Sequence, residues 1–282
     1  MIRLSAFSDE AASDLSGQIS ALKRNGIGYT ELRSIDGKNV AKFTVAEAKE
    51  YAKRLAGEGV AVWAIGSPLG KADIDTDFSA CLDEVKHVCA LANIFGTDKI
   101  RVFSFFNAYE KRGQVFDYLS GMAETAAEYG AGLYHENEKE VYGDTAARVL
   151  ELMANVRGLK FVYDPANYIQ VGEDAETTLS LLHARSDYFH IKDVVKETGE
   201  LVPAGQGSGE IAKLIGMIDG DKTLTLEPHL AVFSGYADID HTEMKHRFAF
   251  SSNAEAFDAA ARALKDLLFA AGYREEKGGF VR

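Results

Sequence analysis

Along this 282-residue chain, short β-branched and apolar runs alternate with longer stretches whose apolar residues recur at three- and four-residue steps. The short runs predict strands over IRLSAF (2–7), GYTELR (28–33), VAVWAIG (60–66), KIRVFSF (99–105), AGLYHE (131–136), LKFVYD (159–164), SDYFHIK (186–192) and KTLTLE (222–227). The longer stretches predict helices near 12–25, 44–58, 75–95, 112–129, 143–156, 174–184, 208–219 and 252–271. Val85, Val88, Cys89 and Ala92 show the helical step in the third of these.

Strict alternation implies parallel strands joined by crossover helices. Eight such units, each of about 30 residues, suit a closed (β/α)8 barrel better than an open sheet. No Pro/Gly/Ser-rich linker interrupts the rhythm, so residues 1–282 read as a single α/β barrel domain. Two connections exceed the usual length. One is SFFNAYEKRGQ after the fourth strand. The other is a long loop, 228–251, after the eighth, expected over the C-terminal face and carrying Phe233, Tyr236, Phe248 and Phe250. Such a loop is either a lid or binding loop, or it packs on the rim or on a neighbouring subunit, which leaves a homo-oligomer open.

Composition adds exclusions. With 46% hydrophobic and 26% charged residues the chain is of the soluble globular kind. A net charge of −12 offers no basic footprint for nucleic acid. No run approaches the roughly 20 apolar residues that span a membrane, and MIRLSAFSDE lacks the apolar core of a signal peptide. Cys81 and Cys89 lie on one predicted helix, about 12 Å apart along its axis and too far for a disulfide. Unpaired thiols suit a reducing cytoplasm. The expectation is a cytoplasmic protein with a small-molecule partner and neither nucleic acid nor membrane.

In a barrel all strand tips surround one pocket. Strand five ends at Glu136, strand six at Asp164, strand seven at His190 and strand eight at Glu227. Three converging carboxylates would repel one another and lose hydration, a conflict that a divalent cation removes. Three oxygens and one nitrogen suit Mn²⁺ first, with Mg²⁺, Co²⁺ or Zn²⁺ as alternatives. Four protein ligands leave an octahedral ion two positions for water or a chelating substrate.

HENE (135–138), DPANY (164–168), HIKD (190–193) with the downstream PAGQGSGE, and LEPHL (226–230) together resemble the xylose-isomerase-like TIM-barrel superfamily, in its sugar phosphate isomerase/epimerase branch. The resemblance implies one divalent metal on Glu136, Asp164, His190 and Glu227, with Glu136 and Glu227 also serving as the acid/base pair. It implies a sugar substrate, isomerised or epimerised through proton abstraction beside a chelated carbonyl. Asn167 departs from the pattern, since many relatives carry a substrate-contacting His there. Asn167, Lys192, His229, Arg101, Arg33 and Glu138 form the expected substrate-binding set. Lys192 either touches a substrate oxygen or bridges to a carboxylate. His229 either reaches the pocket or follows Pro228 outward. Arg33 either fixes substrate or pairs with Glu31.

GSPLGK (66–71) lacks the spacing and Ser/Thr of a nucleotide loop. GQGSGE (205–210) is either a backbone anion site or a tight turn with Ser208 as helix cap, the turn being preferred. A lyase or dehydratase acting on a keto-inositol or 3-keto-glycoside is the close rival. An endonuclease IV-like repair enzyme is a remote one, because the tips of strands two to four lack the histidines of its three-metal site. A non-catalytic sugar-binding scaffold is a third.

Overall fold

The apolar runs all become strands. The computed structural model describes residues 1–233, 245 and 247–282. It contains β1 (Ile2–Ala6), β2 (Tyr29–Leu32), β3 (Ala61–Ile65), β4 (Lys99–Val102), β5 (Gly132–Glu136), β6 (Lys160–Tyr163), β7 (Tyr188–Ile191) and β8 (Lys222–Leu226). Each pairs in parallel with the next. β8 returns to β1 in register from Ile2↔Lys222 to Ala6↔Leu226, which closes the barrel. The expected helices follow as α1 (Leu15–Arg24), α2 (Val45–Gly57), α3 (Phe78–Phe95), α4 (Arg112–Glu128), α5 (Ala146–Asn155), and then a short unexpected α6 (Pro165–Gln170). After it come α7 (Ala175–Leu182), α8 (Ile211–Gly216) and α9 (Asn253–Ala270).

The unexpected elements have local causes. At DPANY, Asp164 Oδ1 accepts the Asn167 N–H at 3.0 Å and Pro165 takes the first helical position, so the strand tip is also a helix start. β4 ends at Val102 rather than Phe105 because the following backbone bonds sideways, Phe103 N to Leu69 O and Phe105 N to Gly70 O, both at 2.8 Å. Gly70 sits at φ +78°, and a Cβ there would lie 2.1 Å from Phe103 O, so GSPLGK needs its second glycine for close backbone approach. Ser34–Ile35 pairs with Lys38–Asn39, and Asp193–Val194 pairs with Leu201–Val202. The hairpin Arg274–Val281 pairs with β1 through Ile2↔Phe280.

GQGSGE proves to be a turn, but Ser208 does not cap the helix. Residue Glu210 precedes α8 at φ +54° without a side-chain cap bond, and Ser208 Oγ instead accepts the Lys196 N–H. The backbone amides do gather around an anion, and it is the chain's own Asp193. This buried carboxylate accepts the N–H groups of Gly205, Gly207 and Gly209 at 2.8, 3.0 and 2.9 Å.

Of the expected loop 228–251, residues 234–244 and 246, Tyr236 among them, lie outside the described residues. The described part begins inward: His229 and Leu230 are buried, and the Phe233 ring lies 4.6 Å from the Arg33 guanidinium. Cys81 and Cys89 are buried free thiols on α3, and burial pushes the Cys89 thiol up to about 11. Among the described residues no helix is long and apolar enough to cross a membrane.

Inside the barrel, Trp63, Tyr134, Val162 and Tyr188 form an apolar floor, with the Tyr188 ring 6.0 Å from Trp63 and 5.7 Å from Tyr134. The larger core lies between strands and helices, where Phe189 is fully buried and stacks on His183 at 5.0 Å. Phe189→Ala should cost about 3–5 kcal/mol of unfolding free energy in a urea titration. A loss below about 1 kcal/mol would mean that this layer is not packed as described.

Candidate metal centre

Above the aromatic floor the inward side chains of the strand tips are almost all charged. Glu136 ends β5, Asp164 follows β6, His190 lies on β7 and Glu227 follows β8. The Glu227 N–H still bonds to Ile191 O at 3.1 Å, so the ladder fixes it beside His190. One atom from each of the four residues lies within 4.8 Å of the others, and all four are buried. His190 Nδ1 is 2.9 Å from Glu136 Oε1 and 3.1 Å from Glu227 Oε2.

Each glutamate uses its two oxygens differently. The oxygens just named face His190. The others are held by arginines: Glu136 Oε2 by Arg101 Nη1 and Glu227 Oε1 by Arg33 Nη1, both at 3.0 Å. Arg33 also binds Asp9 through Nε and Nη2, at 2.9 and 3.0 Å, and reaches Glu10 at 3.3 Å. Its plane lies 4.3 Å from the Phe7 ring. Asn137 and Asn167 lock the other side. Asn137 exchanges two hydrogen bonds with the Asp164 backbone, and Asn167 Nδ2 donates to Asn137 O at 2.8 Å and approaches Glu136 Oε1 at 3.5 Å.

Burial alone would neutralise these acids. It pushes Asp164 up to about 6, with Lys192 opposing it. Burial also acts on Glu136, but His190 and Arg101 outweigh it and hold the group at about 2. Glu227 is kept well below the carboxylate range because Lys192 and His190 outweigh its desolvation. His190 is raised well above its ordinary value, since Glu136 and Glu31 more than offset its burial. Burial lifts Glu10 to about 8 despite Arg33, and drops His229 to about 4.

The residues expected from the sequence therefore come together. Lys192 Nζ lies 2.9 Å from Asp164 Oδ2 and 3.7 Å from Glu227 Oε2. His229 turns inward at φ +47°, with Nε2 3.4 Å from Glu10 and 3.5 Å from Glu227. Glu138 pairs with Lys71 at 2.9 Å, nearer the rim. One expectation is corrected: Arg33 does not pair with Glu31. It turns to Asp9, Glu10 and Glu227, while Glu31 binds His190 Nε2 at 3.1 Å. Asp9 and Glu10, in the turn after β1, went unread in the sequence. Their position at a strand tip was the available signal.

The four-residue group fits a metal ion on an observation independent of residue type. Asp164 Oδ2 and Glu227 Oε2 are buried and accept no hydrogen bond. Lys192 and His190 stand beside them out of hydrogen-bond alignment. Lys192 and His190 offset part of the charge on these buried oxygens, and a divalent cation would offset the rest. A second group, Glu10, Glu227 and His229, also converges, but the Arg33 guanidinium already meets its charge.

Comparison with known proteins agrees with this architecture. The family profile described as xylose isomerase-like TIM barrel matches residues 19–267. No curated protein matches the sequence. Among solved structures, a D-psicose 3-epimerase determined in the presence of D-fructose has TM-score 0.74 at 16% identity, over 96% of this chain and 99% of that one. A probable 3-DHS dehydratase from Bacillus anthracis gives 0.71 at 17% identity, over 94% and 99%. A xylose isomerase-like barrel protein from Mycobacterium smegmatis, in complex with magnesium, gives 0.67 at 13%, over 96% and 97%. At these identities the likeness is one of fold.

Asp164→Asn keeps a competent helix cap and deletes the charge. It should leave the circular dichroism spectrum intact and weaken divalent-metal binding by more than about 100-fold, beyond what loss of an outer hydrogen-bond partner does. Unchanged affinity would remove Asp164 from the centre. Because a ligating imidazole must be neutral, metal must displace a proton from His190. The logarithm of the affinity should then rise by about one per pH unit through the neutral range and fall in acid. Calorimetry in two buffers of different ionisation enthalpy would read the released proton.

Proposed function

Since the chain belongs to the xylose isomerase-like TIM barrel family, we propose that it is a divalent-metal-dependent isomerase or epimerase of a ketose or related keto-sugar. The observation that carries this reading is the paired glutamates, each with one oxygen directed to a common centre and the other tied to its own arginine. Glu136, Asp164, His190 and Glu227 would hold one ion, Mn²⁺ being the first candidate. When bound, it would polarise a chelating carbonyl and stabilise the enediolate charge.

The chain's own groups supply the proton transfers. Both glutamates are ionised at neutral pH and so available as bases. One takes the proton from the carbon beside the carbonyl, and the electron pair moves onto the carbonyl oxygen. The other, once it has taken up a proton from solvent, delivers it to the opposite face of that carbon, which inverts it. Return to the adjacent carbon interconverts ketose and aldose instead. Arg101 and Arg33 fix the two carboxylates in place, while the floor of Trp63, Tyr134 and Tyr188 keeps water from entering beneath.

A dehydratase on the same site is the second reading, and Glu10 favours it. Burial lifts its carboxyl to about 8, and it stands beside Glu227 where a departing hydroxyl would need a proton. The D-psicose 3-epimerase and the probable 3-DHS dehydratase that share the barrel span the same two outcomes.

Metal-loaded protein incubated with a panel of ketoses and keto-inositols in D2O should place deuterium on the carbon beside the carbonyl. Glu136→Gln and Glu227→Gln, each saturated with metal, should slow exchange by about 10²–10⁴-fold. A product with a new double bond and one water fewer selects the dehydratase. Absence of exchange with every substrate, while metal is bound, rejects both.

A further inference from the structure

His190 is gripped from both sides of its ring. Nδ1 faces the four-residue cluster, and Nε2 faces away from it, 3.1 Å from Glu31 Oε2. The other oxygen of Glu31 accepts the Tyr188 hydroxyl at 3.0 Å. All three side chains are fully buried. Phe7 stands edge-on to the imidazole at 5.2 Å, and Tyr188 at 5.6 Å, so the ring has little freedom to rotate.

We propose that Glu31 is a positioning residue for the metal centre: it sets the orientation and the tautomer of His190 and is itself set by Tyr188. A neutral imidazole carries one N–H, and an ionised carboxylate can only accept. With Glu31 at Nε2, a proton on that nitrogen is hydrogen-bonded, and Nδ1 is left to present its lone pair to a cation held with Glu136 and Glu227. The opposite tautomer would set the Nε2 lone pair against a buried carboxylate and turn an N–H toward the cation. Glu31 reaches this place from β2, far from the four ligand-bearing strands in sequence. Its two oxygens serve one ligand and the floor beneath that ligand. The inference rests on the metal-centre reading, and its test separates the two.

The protein, stripped of metal by chelation, is titrated with Zn²⁺ against a competing chromophoric chelator, alongside Glu31→Gln and Tyr188→Phe. Glu31→Gln should bind about 10–100-fold more weakly while its near-ultraviolet circular dichroism stays that of the parent. Tyr188→Phe should shift in the same direction by less. Side-chain ¹⁵N spectra of the Zn²⁺-loaded protein should show His190 protonated at Nε2 alone. A purely structural ion pair would lower the unfolding midpoint and leave affinity unmoved. Folded Glu31→Gln that binds within twofold of the parent overturns the proposal. So does a proton on Nδ1 in the loaded parent, whatever the variants do and even if Glu31→Gln fails to fold. A parent protein that takes up no metal sinks the metal centre and this proposal together. A parent that binds, with a variant that binds equally, sinks only the role of Glu31.

Discussion

The mouth of this barrel is governed by the cost of dehydrating negative charge. Asp9, Glu10, Glu31, Glu136, Asp164 and Glu227 are all buried at one end of a closed sheet. No ordinary fold tolerates that many desolvated carboxylates without compensating charge. The chain supplies part of it from Arg33, Arg101, Lys192 and His190. The remainder shows as two oxygens without hydrogen bonds, on Asp164 and Glu227, aimed at one place. Geometry, protonation and the case for a bound cation all follow from this imbalance.

The compensation is uneven in a way that suits proton chemistry. Arg33 and Arg101 stand over the Phe7 ring, Arg33 bound to carboxylates and Arg101 to Glu136 and the Gly66 and Ser67 carbonyls, so they act as fixed supports rather than as free hands for a ligand. The result is a set of acids with contrasting character in one pocket. Glu136 and Glu227 are held below the ordinary carboxylate range, while burial lifts Glu10 to about 8. Environments that push neighbouring carboxyls apart are what acid–base catalysis requires.

Much of this was legible from the chain alone. Periodicity located all eight strands and their helices, because closing a barrel forces each unit to repeat the same burial pattern. Reading the tips found Glu136, Asp164, His190 and Glu227, since parallel strands deliver their ends to one face. What escaped was set by contacts distant in sequence. Nothing near Glu31 says that its partner is His190 rather than Arg33, 159 residues being the separation in one case and two in the other. The sideways bonding that ends β4 early and the carboxylate at the heart of the glycine turn are likewise properties of packing. Asp164 was read correctly as a strand tip, yet its second duty as a helix cap needed the neighbouring proline to be weighed as well.

The floor has a practical corollary. Trp63 is the sole tryptophan of the chain, and its indole stands edge-on to Tyr188, the ring whose hydroxyl steadies Glu31. The protein thus carries a half-buried native fluorophore two ring contacts away from the imidazole, placed to report on the mouth by its own emission, without any label attached.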